Sequence, residues 1–468
     1  MKSERYSKFL AGLVTSLIII SLFIPPALAA APNNSANLAP EFSRQSLMSP
    51  GDTTRVSVAS DGAQGNNASG KPSTSADGRY IAFESNASNL VSGDTNGYWD
   101  VFVRDTVENT TTRVSVATGG AQGNGDSFGP SISADGRYVV FHSDASNLVS
   151  GDINGKRDVF VRDTVANTTA LVSADSSGAQ GNNDSFGAAI SADGHYVIFA
   201  SNASNLVSGD TNGKQDVFIR DIVASITTRA SVSSSGVEGN SDSGWWSPYD
   251  LAISADGRYV VFGSYASNLV TGDTNGAPDE FLRDTVANTT IRVSVNSSGV
   301  QEIGGGSYNP SISADGRYIA FASDATNLVS GDTNGTADVF VRDIIANTTK
   351  RVSVNSSDLQ GNSGSYNPSI SANGRFVAFM SYASNLVSGD TDGATDVFVR
   401  DTVTNTTTRI SLASSGAQGN ANSYSPSISA DGHFVAFISD ANNLVSGDTN
   451  GYSDVFVHEN DMGAFHLS

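Results

Sequence analysis

Apolar and polar residues alternate along most of this chain in short runs. Tyr138-Val139-Val140-Phe141, Asp158-Val159-Phe160-Val161-Arg162-Asp163 and Thr112-Arg113-Val114-Ser115-Val116 are typical. Each is rich in β-branched and aromatic residues with a period of two, which predicts a strand rather than a helix. A Pro-Ser-Ile-Ser run such as Pro130 to Ser133, or a variant of it, stands ahead of the Ser-Ala-Asp-Gly turn and predicts a further strand. Every unit therefore reads as four strands joined by turns, and the unit recurs. Its turn opens at Ser75, Ser133, Ser191, Ser254, Ser313, Ser371 and Ser429, at intervals of 58 to 63 residues.

Internal repetition at this period overrides the length-based expectation of about three domains. Four strands per unit is what a propeller blade needs. The count goes out of step at the ends: Thr53-Thr54-Arg55-Val56-Ser57-Val58 is a fourth-type strand with no unit before it, and the last unit stops after Asp454-Val455-Phe456-Val457. The two fragments complete one another. Pairing them closes a ring and leaves no blade with an unpaired outer edge, whereas an open solenoid would call for distinct polar caps. The expected fold is all-β: a seven-bladed β-propeller of four-stranded blades, closed by pairing the N-terminal strand with the C-terminal blade.

The repeat itself carries a resemblance. The pattern from Pro310 to Ser323, followed by Asp338 to Asp343, resembles the TolB-type (WD40-like) propeller repeat, and six sister copies share it over residues 51 to about 460. The resemblance implies the propeller fold and a binding habit. The chain departs from TolB in having no room for that protein's N-terminal α/β domain and in counting seven repeats where that propeller has six blades. A role in the Tol–Pal system is accordingly not carried over.

The ends of the chain read differently from the repeats. Lys2, Arg5 and Lys8 precede an apolar stretch from Phe9 to Ile24, and Ala27-Leu28-Ala29 follows. This is the layout of a secretory signal over 1–29; an uncleaved anchor is the alternative, for which the stretch is short. Residues 30–50 read as a flexible leader, 51–460 as the propeller and 461–468 as a tail, with no membrane insertion expected after cleavage. An extracellular, cell-surface or periplasmic location follows. The chain has no cysteine, so stability comes without disulfides and thiol chemistry is excluded. The formal charge is −21, and removing a signal that carries three basic residues against Glu4 takes it to −23. A field of that sign repels phosphate backbones, so nucleic acid is not an expected partner and cations are.

Two features of the loops carry candidate chemistry. In a propeller, the connection into each blade and the loop between its second and third strands share one face, and loops on a rigid ring are where function is sought. The second-to-third loops read Gly-Asp-x-Asn-Gly-x-x-Asp, and their oxygens are candidate ligands for calcium. The sets are Asp94, Asn96, Asp100; Asp152, Asn154, Asp158; Asp210, Asn212, Asp216; Asp273, Asn275, Asp279; Asp332, Asn334, Asp338; Asp390, Asp392, Asp396; and Asp448, Asn450, Asp454. The glycine position and the missing terminal glutamate exclude an EF-hand. A purely structural account stands beside calcium: Asp caps an Asx turn, Asn-Gly makes the tight turn, and the last Asp starts the next strand.

The second feature is an aromatic residue in most entry connections: Phe128, Phe186, Trp245 and Trp246, Tyr308, Tyr366 and Tyr424. Such a ring could stack on sugars or peptide side chains, or pack between blades. Trp245 and Trp246 lie in the five-residue excess of the fourth repeat and break the pseudo-symmetry most visibly. A catalytic residue acts once and should appear as an exception to the repeat. The exceptions are Glu84, His142, Glu238, Glu280 and Glu302, and their spacing forms no nucleophile, base and orienter set. His195 and His433 replace the arginine of the Ser-Ala-Asp-Gly-Arg turn. The Asn-Thr-Thr triplets at Asn109, Asn167, Asn288, Asn347 and Asn405 match glycosylation sequons but sit where a tight turn is expected.

Three functions fit these residues. The preferred one is a non-catalytic exported scaffold binding a protein, glycan or envelope component on the face of the Gly-Asp-Thr-Asn-Gly loops. The others are a hydrolase or lyase sited in the channel, and a structural surface or adhesion module. Oligomeric state is not legible in the residues.

Overall fold

The computed structural model describes residues 48–244 and 251–461. In blade I the four strands are Ser69–Thr74, Tyr80–Ser85, Asp100–Asp105 and Thr110–Arg113, paired antiparallel from the inner to the outer edge. The same order repeats in blades II (127–171), III (185–229), IV (251–292), V (307–351) and VI (365–409). Blade VII takes three strands, Ser423–Ile428, Phe434–Ser439 and Asp454–Glu459, from the C-terminal end. Its outer strand is Thr53–Arg55. Thr53 lies opposite His458, Thr54 opposite Val457 and Arg55 opposite Phe456. The molecule is thus an all-β seven-bladed propeller, closed as the displaced strand predicts.

Closure is visible a second time at the turns. The backbone N–H of Ala76 donates to the carbonyl of Ala134, and the same bond runs on through Ala192, Ala255, Ala314, Ala372 and Ala430 back to Ala76, each at 2.9–3.1 Å. Seven identical bonds in a circle hold the blades at one end of the channel. The glycine of each turn is required there. Gly136 has φ of 75°, and a Cβ on it would stand 2.2 Å from the Tyr80 ring of the preceding blade. Tyr80 lies against that bare backbone, and Arg79 stacks over the ring at 4.9 Å while bonding Asp105.

The core sits between blades rather than within one. Ala82 and Val103 of blade I pack with Val139, Phe141 and Leu148 of blade II, and each blade carries a stacked phenylalanine pair such as Phe83 and Phe102, 5.8 Å apart. Since both faces of a middle strand are covered, all six residues of Asp100–Asp105 are buried. This is why the third strand reads Val-Phe-Val without polar relief. Outer edges are covered by the connections. Residues Val58 and Gln64 pair as a short hairpin; Thr111 Oγ1 donates to the Val58 carbonyl at 2.5 Å, and the Thr111 N–H donates to Ser60 Oγ at 2.9 Å. Backbone groups at the rim thereby find partners before water or another chain does.

Among the described residues no helix is long and apolar enough to cross a membrane. The apolar stretch from Phe9 to Ile24, and the pair Trp245 and Trp246, lie outside the described residues.

Candidate functional site

The seven acidic loops share one plan, and its cation is in six cases an arginine. In blade I, Arg113 of the outer strand places Nη1 3.1 Å from Asp94 and 3.1 Å from Asp100. Asn96 donates to Asp100 and to the Gly123 carbonyl, both at 3.1 Å. The guanidinium therefore lies between the first and last aspartates of the motif, where a metal would have to sit. Arg55, Arg229, Arg292, Arg351 and Arg409 do the same with Asp448 and Asp454, Asp210 and Asp216, Asp273 and Asp279, Asp332 and Asp338, and Asp390 and Asp396. Burial raises Asp94, Asp210, Asp338 and Asp396 above the usual carboxylate range, and the arginines pull against it.

Blade II is the exception. Leu171 stands in the arginine position, which leaves only Gln180 Nε2 on Asp152 at 2.7 Å and Asp158 at 2.9 Å, bonds that Gln64 and Gln360 make beside an arginine in blades VII and V. In blade III, Glu238 joins Asp210 and Asp216, and in blade VI, Asp392 joins Asp390 and Asp396. Both groups bring three carboxylates close enough to hold a metal ion. Arg229 already lies 2.6 Å from Glu238, and Arg409 lies 2.9 Å from Asp396.

The inner strands enclose a central cavity of about 340 Å³, whose lining includes Lys71, Gly129, Asn309 and Asn367. A shift in strand register recurs here, and the residue at its bend has positive φ: 47° at Lys71, 59° at Gly129, 55° at Asn309, 50° at Asn367 and 51° at Ser425. A bulge of this kind re-aims the strand at the mouth of the channel. Glycine and asparagine tolerate the conformation, but lysine does so at a cost, so Lys71 is a local strain held by its surroundings.

Departures from the repeat gather on this face. On blades I and II, Glu84 accepts the Gly129 N–H at 2.8 Å; burial raises its carboxyl while Lys71 opposes the shift, and burial lowers the Lys71 amine. His142 is buried, its Nδ1 finds no hydrogen-bond partner, and desolvation takes its pKa to about 3, so the ring is neutral. Phe128 lies 6.0 Å from His142 and 6.0 Å from Trp99, and Arg157 stacks over it at 5.8 Å. On blades V to VII the departures are tyrosines. Tyr308 and Tyr366 stack at 6.4 Å, Tyr382 meets Tyr366 edge-on at 6.2 Å, and Tyr424 bonds Asp440 at 3.2 Å.

The five described entry aromatics, Phe128, Phe186, Tyr308, Tyr366 and Tyr424, are all half-buried, each with part of its ring facing solvent. The expected ring of aromatics therefore divides into two unlike arcs. Lys71, Trp99, Arg157 and Tyr382 belong to it and were not singled out by the sequence. Their signal was present: Lys71, Trp99 and Arg157 stand where the other copies carry a different residue type, and Tyr382 shares its type only with Tyr265 of blade IV.

No family model matches the chain, and no curated protein matches it. Solved structures do. An oligogalacturonate lyase from Vibrio parahaemolyticus is 12% identical with a TM-score of 0.51, covering 88% of this chain and 94% of that one. An oligogalacturonate lyase in complex with manganese is 11% identical with a TM-score of 0.50, over 87% and 92%. TolB from Acinetobacter baumannii is 16% identical over 66% of this chain, with a TM-score of 0.37, and the match spans 58% of that protein's length. The fold is a seven-bladed propeller, and its repeat resembles the TolB type. At these identities the likeness is one of fold, so function has to be argued from the site.

Proposed function

We propose that this protein is an exported, non-catalytic propeller that binds a protein or glycan partner on the face bearing the acidic loops. The observation that carries the reading is the set of half-buried aromatic rings in the entry connections, Phe128, Phe186, Tyr308, Tyr366 and Tyr424, where Phe128 lies against His142 and Tyr308 stacks on Tyr366. Uniform repeats build the ring, and selection for a partner acts where copies differ. Half-exposed aromatic rings offer flat, apolar area with a polar tip, which suits sugar rings and peptide side chains alike. The charge of −21 supports partners other than nucleic acid. Calcium at the grouped carboxylates of blades III and VI belongs to the same reading, and it requires Arg229 and Arg409 to swing out of the place they hold between those carboxylates.

Glycan arrays and affinity capture test it, with the wild-type chain compared against Tyr308→Ala with Tyr366→Ala, and against Trp245→Ala with Trp246→Ala. Retained capture is expected for wild type, with binding weakened at least tenfold in a variant whose melting temperature is unchanged. A broad lyase and hydrolase panel, run with and without calcium, completes the test. Turnover of any substrate class there overturns the non-catalytic reading.

A further inference from the structure

Each inner strand turns one backbone N–H toward the blade before it, at the residue that precedes the Ser-Ala-Asp-Gly turn. In five blades a serine hydroxyl of that neighbour accepts it: Thr74 donates to Ser427, Ile132 to Ser73, Ile190 to Ser131, Ile370 to Ser311 and Ile428 to Ser369, at 3.0–3.3 Å. Two adjacent blades break the series. Ala189 and Ala252 hold the place of that serine, so among the described residues the N–H groups of Ile253 and Ile312 lack this acceptor.

The side chains show the same opening. Ile132, Ile190, Ile370 and Ile428 are each 7% exposed, whereas Ile253 and Ile312 are only half-buried. All four residues of the break, Ala189, Ala252, Ile253 and Ile312, line the central cavity of about 340 Å³. A backbone donor without its protein acceptor is costly unless water or a ligand takes it. A volume of this size admits a small molecule.

The same cavity has one charged residue among its described lining, and that charge is positive. Lys71 stands there with φ of 47°, a conformation that glycine holds in blades II and III and asparagine in blades V and VI. Backbone strain of this kind gathers at ligand sites, where the surroundings over-determine it. Burial lowers the Lys71 amine and the charge of Glu84 opposes that shift. Glu84 in turn accepts the Gly129 N–H, which anchors the carboxylate beside the lysine to blade II. Blade I lies across the seven-membered ring from blades IV and V. A ligand that reaches both sides therefore meets an ammonium at one end and a pair of backbone donors at the other.

We propose that the central channel binds a small hydroxy acid, its carboxylate against Lys71 and its far oxygens on the Ile253 and Ile312 N–H groups. One lysine with a carboxylate beside it suits a single negative charge rather than a phosphate dianion. This site lies between the inner strands, goes beyond the partner binding proposed for the entry connections, and does not depend on it.

The test is isothermal titration of the full chain at constant ionic strength. Three probes are used: D-gluconate, sorbitol as its uncharged twin, and acetate as a carboxylate without the far oxygens. One gluconate per chain is expected, with sorbitol and acetate each at least tenfold weaker. Ala189→Ser combined with Ala252→Ser restores the sister residues and returns an acceptor to each N–H. That variant is expected to bind gluconate at least tenfold more weakly with no loss of melting temperature. Lys71→Asn installs the residue type of blades V and VI, and it is expected to abolish the preference for gluconate over sorbitol. Three results overturn the proposal: a wild-type chain that binds no gluconate, one that binds sorbitol equally well, or a serine variant that binds gluconate as wild type does.

Discussion

Arg351 reaches from the outer strand of blade V to Asp332 at 3.4 Å and Asp338 at 3.2 Å; its side chain is nearly buried, and the carboxylates it meets are buried. Removing one member of a buried ion pair leaves the other charge stranded, which costs about 3 kcal/mol. Arg351→Leu is therefore expected to destabilise the fold by roughly that amount in urea denaturation. The reverse experiment is available in blade II, where Leu171 leaves Asp152 and Asp158 to Gln180. Leu171→Arg should supply the missing guanidinium, with an aliphatic stem covering what the leucine covered, and stabilise by about 1 kcal/mol. A lower midpoint in that variant would show that blade II has no room for an arginine beside Gln180, unlike blade V, where Gln360 and Arg351 share the same two aspartates. Gly136 makes a third case at this scale. Gly136→Ala combines an unfavourable φ with contact against Tyr80, so a loss of more than about 1 kcal/mol is expected from the same measurement.

At the scale of the strand, closure depends on three residue pairs between Thr53–Arg55 and Asp454–Glu459. Arg55 and Ser57 add side-chain bonds to Asp454 at 3.3 and 2.6 Å. A chain beginning at Asp61 leaves the last strand of blade VII as an open edge, and it is expected to lose its cooperative melt and to associate in gel filtration. His458 makes the same join sensitive to pH. It stands where six other blades carry arginine, its Nδ1 lies 2.8 Å from Thr53 Oγ1, and burial holds its pKa down to about 4. The unfolded chain takes up that proton near pH 6.5, so its contribution is full above 6.5 and is lost as pH falls toward 4. A melting profile over this window should fall in wild type and fall less in His458→Arg, which restores the sister residue. Equal slopes for the two chains would remove His458 from the account.

For the whole molecule, the ring distributes stability among seven equivalent joins, and specificity falls to the few positions where the joins differ. The circle of alanine bonds at one end needs only the turn sequence. The opposite end carries the entry connections, where Phe128 of blade II lies against the buried His142 and Tyr308 and Tyr366 of blades V and VI stack on one another. Binding through this mouth predicts that substitutions at the turns of the other face leave capture intact. Arg317→Ala, which removes the 2.8 Å contact with Asp343, is expected to lower the melting temperature while the binding isotherm stays unchanged.

Much of this was legible in the residues because the repeat averages out local ambiguity. One copy of Tyr138 to Asp163 is a strand prediction, but seven in register are an architecture. The orphan strand at Thr53 likewise fixed the manner of closure, since an unpaired edge has a definite cost. The sequence also marked the acidic loops. It did not show that the arginine of the outer strand folds back into them, because Asp94 and Arg113 are neighbours only across the edge of the sheet. Nor did it show what an exception meets. Glu302 and Asp279 are 23 residues apart and belong to different blades. Periodicity and turn chemistry act along the chain and can be read there; charge pairing, burial and the two arcs at the channel mouth act between blades, and only the closed ring brings those atoms together.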